Sequence, residues 1–138
     1  TVDTACSQVI EGCSAIRKDQ TGTWITEQMY QAYLNLHSLG YVHSVECWDG
    51  KLLVGGLYGI ALGRVFFAES MFHRASNASQ IALVKLSEAL TLWDYFVLDC
   101  QFLNPHLRRM GAEQISRYEF NKLIKRRIEE SPSKEAWD

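Results

Sequence analysis

The hydrophobic and polar positions before Gly40 predict two amphipathic helices. Apolar residues recur every three or four positions in both segments, which places them on one face of each helix. They are Val9, Ile10, Cys13 and Ile16 in the first segment and Met29, Tyr33 and Leu36 in the second. Asp3 or Thr4 is placed to cap the first helix, and Thr26 to cap the second. Gly40 is expected to close the second helix in a left-handed conformation.

The pattern then changes to that of β-strands. Tyr41–Trp48 alternates between apolar and polar residues, and Asp49-Gly50 is a strong hairpin turn into the segment Leu52–Leu62. Gly63 interrupts this strand, and Val65–Met71 resumes the apolar pattern. We therefore predict a meander of three antiparallel strands.

Helical spacing returns after Ser79, where Leu83, Leu86 and Leu90 predict a third helix. The apolar run Val97–Phe102 is too short for a helix and predicts a buried fourth strand. Ser116 and Glu119 have the spacing of a capping box for a last helix, beyond which the tail is expected to fray. The sequence therefore predicts one α+β domain over residues 1–138, a mainly antiparallel sheet flanked by helices.

Composition agrees with one soluble globular domain. The chain has 138 residues, of which 47% are hydrophobic, enough for a single core. Since no run of 18 or more apolar residues and no charged-then-apolar leader are present, we expect no membrane association and a cytoplasmic location. The four cysteines lack CxxC spacing, so we expect reduced thiols and no zinc site.

Positive charge is unevenly distributed, although the net charge is −2. Several basic residues fall in the last third of the chain, namely Arg108, Arg109, Lys122, Lys125, Arg126 and Arg127. The run within the last helix is either a solvated helix face or a phosphate contact. A net negative chain argues against binding nucleic acid by broad electrostatics alone.

Acidic and amide side chains lie where the apolar strands end. Glu69 is a charge inside a predicted strand, where it is costly unless it is paired or hydrogen-bonded. It either ties down a backbone turn or holds a substrate. Asp99 and Gln101 are two residues apart, so on one strand they would share a face and reach a common cleft.

Six segments in register resemble the leucyl/phenylalanyl-tRNA–protein transferase family, and the resemblance covers roughly Gln8 to Phe120. The segments are Gly22-Thr23-Trp24-Ile25-Thr26, His43-Ser44-Val45-Glu46 with Trp48, the run from Leu53 to Gly59, Glu69-Ser70-Met71-Phe72, Asn77-Ala78-Ser79 and Asp99-Cys100-Gln101. They occur in the family's order and at its spacing.

The resemblance implies a catalytic domain of the GNAT-like acyltransferase fold. It implies transfer of Leu, Phe or Met from an aminoacyl-tRNA to the α-amino group of proteins that begin with Arg or Lys, which marks them for degradation under the bacterial N-end rule. No metal or organic cofactor is implied, and we expect a monomer. The family usually carries an upstream domain with a second tRNA-contacting Trp and a basic cluster, and we expect this chain to lack it.

The resemblance also assigns site residues. Trp24 would stack on the terminal adenosine of the tRNA, although a core Trp is the alternative. Glu69 and Ser70 would hold substrate. The apolar pocket for the transferred side chain would be lined by Leu57, Phe66, Leu83, Leu86 and Leu90, which by periodicity alone are all core positions. Asp99 and Gln101 would be catalytic, with Asp99 positioning Gln101 and Gln101 accepting a hydrogen bond from the attacking amine.

Two departures from the family pattern and two alternative functions stay open. Ala68 stands where the family has Gly, and Tyr95-Phe96 replaces a Gly-rich link. A coenzyme A-dependent N-acyltransferase of the same fold needs a glycine-rich loop at a helix N-terminus, whereas the glycines here fall on strands and turns. A non-catalytic module would bind basic N-terminal peptides through Glu69 and Asp99.

Overall fold

The computed structural model describes residues 1–18 and 25–138, and within them five helices and four strands are found. The chain begins with two helices, continues through a three-stranded meander, and returns through a long helix to a short fourth strand. The elements are α1 Cys6–Lys18, α2 Glu27–Ser38, β1 Val42–Asp49, β2 Leu52–Leu62, β3 Val65–His73, α3 Ala78–Leu92, β4 Val97–Asp99, α4 Pro105–Arg109 and α5 Arg117–Arg127. The predicted α+β class is confirmed.

The four strands form one mixed sheet in the order β1-β2-β3-β4. β1 pairs with β2 and β2 with β3 in antiparallel orientation, as the alternating pattern predicts. β4 pairs with β3 in parallel, through Val65–Phe67 and Val97–Asp99. A parallel pair needs a crossover connection, and α3 supplies it.

A β-bulge interrupts β3 at Glu69. Tyr58 of β2 faces Ser70, while the next residue, Gly59, faces Ala68, so Glu69 is the extra residue. A bulge bends the strand and redirects the side chains near it. Before the bulge, Phe66 and Ala68 face α3. After it, Ser70 and Phe72 face α1 and α2, on the other side of the sheet.

Two apolar clusters cover the two faces of the sheet. The first joins α1 and α2 to the sheet and contains Cys6, Val9, Ile10, Cys13, Ile25, Tyr33, Val42, Leu53, Tyr58 and Phe72. The second joins α3 to the sheet, and we call it the α3 cluster: Val45, Leu57, Ala61, Phe66, Ala68, Ala82, Leu83, Leu86, Leu90 and Leu107. Ala68, at the position where the resemblance leads us to expect Gly, therefore places its methyl group in a buried core.

The predicted caps have mixed outcomes. Thr26 caps α2 by accepting from Met29 N, and Ser116 with Glu119 forms the predicted capping box of α5. The predicted capping of α1 by Asp3 or Thr4 is wrong. Asp3 accepts a hydrogen bond from Ser44 N at 2.8 Å, and Thr4 donates to Glu46 at 2.8 Å. Both side chains form hydrogen bonds with polar groups of β1, the Ser44 N–H and the Glu46 carboxylate.

The expected fraying of the tail is also wrong. Trp137 stacks on the His43 ring with centroids 4.0 Å apart, and its indole nitrogen donates to the Tyr95 hydroxyl at 2.7 Å. It also contacts Phe66 and Trp93 and packs against the α3 cluster. The end of the chain therefore closes one end of this cluster.

Candidate active site

The segment after β4 turns sharply and brings Asp99 and Gln101 together. The predicted strand Val97–Phe102 is too long, because pairing stops at Asp99. Gln101 has a φ of 67°, a left-handed conformation that a strand cannot contain. Asp99 stabilises this turn by accepting a hydrogen bond from Gln101 N at 2.8 Å. The two residues are thus joined by a side chain-to-backbone contact, and they do not share a strand face as predicted.

The Gln101 amide is fixed in orientation by β3. Its nitrogen donates to the Ala68 carbonyl oxygen at 2.8 Å and lies 3.4 Å from Glu69 Oε1. Both partners can only accept, so the amide nitrogen faces β3. The amide oxygen is left as the group that can accept a hydrogen bond from a substrate.

Glu69 is held from the opposite side by α2. The Tyr33 hydroxyl donates to Glu69 Oε2 at 3.1 Å, and the Tyr33 ring packs edge-on against the Tyr58 ring. Burial, followed by the negative charge of Glu69, raises the pKa of Tyr33 to about 12. Tyr33 therefore stays protonated near neutral pH and acts as a donor. The bulge places Glu69 so that α2 and the turn after β4 both contact its carboxylate.

A cleft of about 810 Å³ opens beside this arrangement. β3 and β4 contribute Phe67 and Asp99 to its wall, and Gln101 lies at the turn. The other wall comes in part from the first turns of α5, which contribute Arg117 and Phe120. The cleft therefore combines a carboxylate, an amide and apolar rings in a space large enough for a small substrate group.

Cys100 lies between Asp99 and Gln101 but is not activated. Burial, followed by the charge of Asp99, raises the pKa of its thiol. A nucleophilic cysteine needs the opposite shift, toward the thiolate. None of the four cysteines, all of which the structure describes, forms a disulfide.

The five residues predicted for the apolar pocket are together, but not in the cleft. Leu57, Phe66, Leu83, Leu86 and Leu90 all belong to the α3 cluster and are at most 5% exposed. Phe66 lies on the face of the sheet opposite Asp99, since Phe67 pairs with Asp99 and Phe66 with Leu98. The other four residues pack with Phe66 in the same cluster. The cleft and the cluster meet at Leu98, which lines the one and packs against the other.

The remaining predicted residues are placed as follows. Ser70 is buried opposite Tyr58, on the α1 and α2 side of the sheet. Trp24 lies outside the described residues. Within the described ranges, no group of three or more His, Cys, Asp or Glu side chains is placed to hold a metal ion. None of the helices in the same ranges has the length and apolarity needed to cross a membrane.

Sequence reasoning missed several residues of this site. Tyr33 reads only as an apolar helix position, because the direction of its hydroxyl depends on how α2 packs on β3. Phe67 and Arg117 carry no local signal for the cleft either. The sequence does carry one signal for Tyr33. Its hydroxyl is a polar group on the predicted apolar face of α2, where a leucine could fill the same position.

Fold and site together define a class of α+β domain. Its site lies where β4 ends beside the longer strand β3, and it contains the Asp99 carboxylate, the Gln101 amide and the Glu69 carboxylate with its Tyr33 partner. Such a site is suited to orienting two substrates against each other. The family model of the leucyl/phenylalanyl-tRNA protein transferases matches residues 1–125, and the chain belongs to that family.

Curated relatives carry the same family name. The chain is 46% identical over 140 residues to the leucyl/phenylalanyl-tRNA–protein transferase of Saccharophagus degradans, covering 99% of this chain and 58% of the relative. It is 52% identical over 135 residues to that of Azoarcus sp. strain BH72, covering 98% and 57%. For Pseudomonas fluorescens the identity is 48% over 137 residues, covering 99% and 60%. The chain thus spans somewhat over half the length of these relatives.

Proposed function

We propose that this chain is the catalytic part of an aminoacyltransferase that moves Leu, Phe or Met from an aminoacyl-tRNA to the α-amino group of proteins beginning with Arg or Lys. The product would then be degraded under the N-end rule. Membership of the family supports the reaction class. The observation that carries the proposal is the Gln101 amide, whose nitrogen is held by the Ala68 carbonyl at 2.8 Å so that its oxygen can face a substrate in the cleft.

The chemistry asks little of an acid or base. An α-amine has a pKa of about 8, so roughly a tenth of it is neutral near pH 7. Its nitrogen attacks the ester carbonyl of the aminoacyl group, a C–N bond forms and the C–O bond to the ribose breaks. The proton lost by the amine is taken up by the departing ribose oxygen, directly or through water. Orientation of amine against ester can supply much of the acceleration.

We assign separate roles to the three polar side chains. The Gln101 oxygen accepts a hydrogen bond from the attacking amine and directs its lone pair at the ester. Asp99 holds the Gln101 backbone in the turn that makes this possible. Glu69, fixed by Tyr33, places a negative charge near the incoming N-terminus, which favours an acceptor with a basic first residue. No step uses a metal or an organic cofactor.

The donor end of the substrate completes the proposal. Trp24 stacks on the terminal adenosine, and Ser70 contributes to substrate binding near Glu69. The α3 cluster, with Leu57, Phe66, Leu83, Leu86 and Leu90, supplies apolar surface for the transferred side chain. The position of Leu98, which lines the cleft and also packs against the cluster, supports this. The GNAT-like fold, a monomeric state and a cytoplasmic location belong to the same proposal.

The purified chain should transfer radiolabelled Leu from Leu-tRNA to a peptide that begins with Arg. The matched control is the same peptide with an acetylated N-terminus, which lacks the nucleophile and should receive no label. A peptide that begins with Asp should also receive little, because Glu69 would repel its side chain. Binding of the Arg peptide without transfer would contradict the proposal and favour the non-catalytic module.

A further inference from the structure

Positive charge is concentrated in one continuous segment of a chain that is otherwise acidic. Residues 105–127, which contain α4 and α5, hold seven Lys or Arg against two Glu. The rest of the chain holds seven Lys or Arg against fourteen Asp or Glu. This asymmetry gives α4 and α5 a local potential opposite in sign to the net charge of the chain.

One face of α5 carries two exposed lysines and an exposed tyrosine. Tyr118, Lys122 and Lys125 follow each other at spacings of four and three, so they share a helix face. All three are exposed, and Tyr118 is 77% exposed. Neither lysine forms an ion pair with any residue that the structure describes. We call these three residues the α5 stripe.

The neighbouring arginines differ from these lysines, because they form contacts within the protein. Arg127 pairs with Glu130 at 2.8 Å and lies over the Phe96 ring at 3.8 Å. Arg126 pairs with the same carboxylate at 3.4 Å. Arg127 therefore helps to fix the end of α5 against the domain, and Arg126 pairs locally with Glu130, while the α5 stripe is exposed to a partner.

The α5 stripe starts beside the candidate active site. Arg117 and Phe120, in the first turns of α5, line the cleft that contains Asp99 and Gln101. With a helical rise of 1.5 Å per residue, Lys125 lies about 8 Å along the axis from Phe120. A single-stranded RNA whose 3′ end occupied the cleft would pass over α5 within a few nucleotides of that end.

We infer that the α5 stripe binds the phosphates of the aminoacyl-tRNA close to its 3′ end, with Tyr118 offering a stacking face to an unpaired base. This inference rests on the proposed function. Exposed lysines interleaved with an aromatic side chain are suited to single-stranded nucleic acid, because the cations follow the backbone and the ring accepts any base. The surface would add affinity for the RNA without taking part in the chemistry.

The test compares two double variants with the same change of charge. Lys122→Gln/Lys125→Gln removes the cations of the α5 stripe. Lys51→Gln/Lys85→Gln is the matched control, since Lys51 lies in the turn between β1 and β2 and Lys85 lies on α3 next to β1, across the sheet from β4. Each protein is assayed with Leu-tRNA and with leucyl-adenosine, which has the reactive ester but no RNA body.

The α5-stripe variant should raise the KM for Leu-tRNA on the order of fivefold and leave the KM for leucyl-adenosine unchanged. For Leu-tRNA, the slope of log KM against log salt concentration should decrease by about one to two units in this variant, because fewer counterions are released on binding. The control variant should show neither effect. Equal effects of the two variants, or a raised KM for the acceptor peptide in place of the tRNA, would overturn the inference.

Direct binding of tRNA separates this inference from the proposed function. If the parent chain binds tRNA, and the α5-stripe variant binds it more weakly than the control does, the surface is supported even where no transfer is seen. Absence of transfer would contradict the proposed function alone. Equal tRNA affinity of the two variants, with transfer intact, would contradict the α5 stripe alone.

Discussion

Two glutamates of the sheet show how differently this protein treats a carboxylate. Glu46 on β1 is 4% exposed and accepts hydrogen bonds from Ser44 Oγ at 2.6 Å and Thr1 Oγ1 at 2.7 Å. Thr4 Oγ1 and Ala5 N donate to it as well, at 2.8 and 3.3 Å. Glu69 on β3 is only half-buried, accepts from Tyr33 at 3.1 Å and has a long contact of 3.4 Å with Gln101.

The difference distinguishes a carboxylate surrounded by internal donors from one that, under the proposed function, is available to a substrate. Glu46 has four internal donors around it, so its charge is compensated within the fold. Glu69 has fewer donors and lies at a bulge, where a strand commonly redirects a side chain toward a site. The same substitution at the two positions should therefore affect different properties.

Glu46→Gln should cost about 2 kcal/mol of unfolding free energy. One carboxylate oxygen becomes an NH₂ group, which meets hydroxyls and an N–H that are arranged to donate. For a chain of this size the loss corresponds to a fall in melting temperature of roughly 6 °C, measured by calorimetry. Unchanged melting would show that the donors around Glu46 rearrange freely, and the contrast with Glu69 would fail.

Glu69→Gln should lower kcat/KM for transfer to an Arg peptide by about tenfold, which is 1.4 kcal/mol of transition-state stabilisation. The amide keeps the shape and still accepts from Tyr33, so the melting temperature should stay within about 2 °C of the parent. The result is checked by steady-state transfer kinetics beside calorimetry. A variant that melts early and transfers normally would place Glu69 with Glu46 as a structural residue.

Tyr33→Phe should lower kcat/KM by a smaller factor, about fivefold, because Glu69 remains but loses the donor that orients it. Tyr30→Phe is the matched control. Tyr30 is on the same helix, and its hydroxyl donates at 2.9 Å to Glu11, which lies outside the site. Transfer rates that fall equally in the two variants would mean that loss of any α2 hydroxyl perturbs the helix, and that Tyr33 does not position Glu69.

Cys100→Ala should change transfer by less than about twofold, because burial raises the pKa of this thiol and keeps it protonated. Its neighbours Asp99 and Gln101 hold their geometry through the Asp99 side chain and the Gln101 amide, without the sulfur. The rate is measured with Leu-tRNA and the Arg peptide. A large loss of transfer would assign the thiol a role in the chemistry.

Sequence patterns predict the meander well because its signals are local. The alternation of β1 and the turn at Asp49-Gly50 involve neighbouring residues, and the observed hairpin follows them. The bulge at Glu69 and the parallel pairing of β4 depend on contacts between distant segments, and nothing local marks either of them. The tail is a further example of a contact that local patterns do not predict. Trp137 has no periodic apolar neighbours in the sequence, and it packs on His43, which is distant along the chain.

Sequence reasoning named three polar residues of the candidate site but not their geometry. The segments of the family resemblance contain Glu69, Asp99 and Gln101, and the structure brings all three together. Their arrangement depends on the left-handed turn at Gln101. The apolar run Val97–Phe102 predicts a continuous strand at this point and so gives no sign of the turn. The apolar pocket residues form one cluster, as their helical and strand spacing indicates, but spacing does not tell which face of the sheet they occupy.

The central claim is that Asp99 holds Gln101 for transfer, and Asp99→Ala beside Asp99→Asn tests it most directly. The alanine variant loses the acceptor for Gln101 N, whereas asparagine keeps an oxygen at that position. Transfer of Leu from Leu-tRNA to an Arg peptide should fall at least roughly tenfold in Asp99→Ala, with most of the activity retained in Asp99→Asn and both variants folded. Full transfer by a folded Asp99→Ala protein would contradict the account.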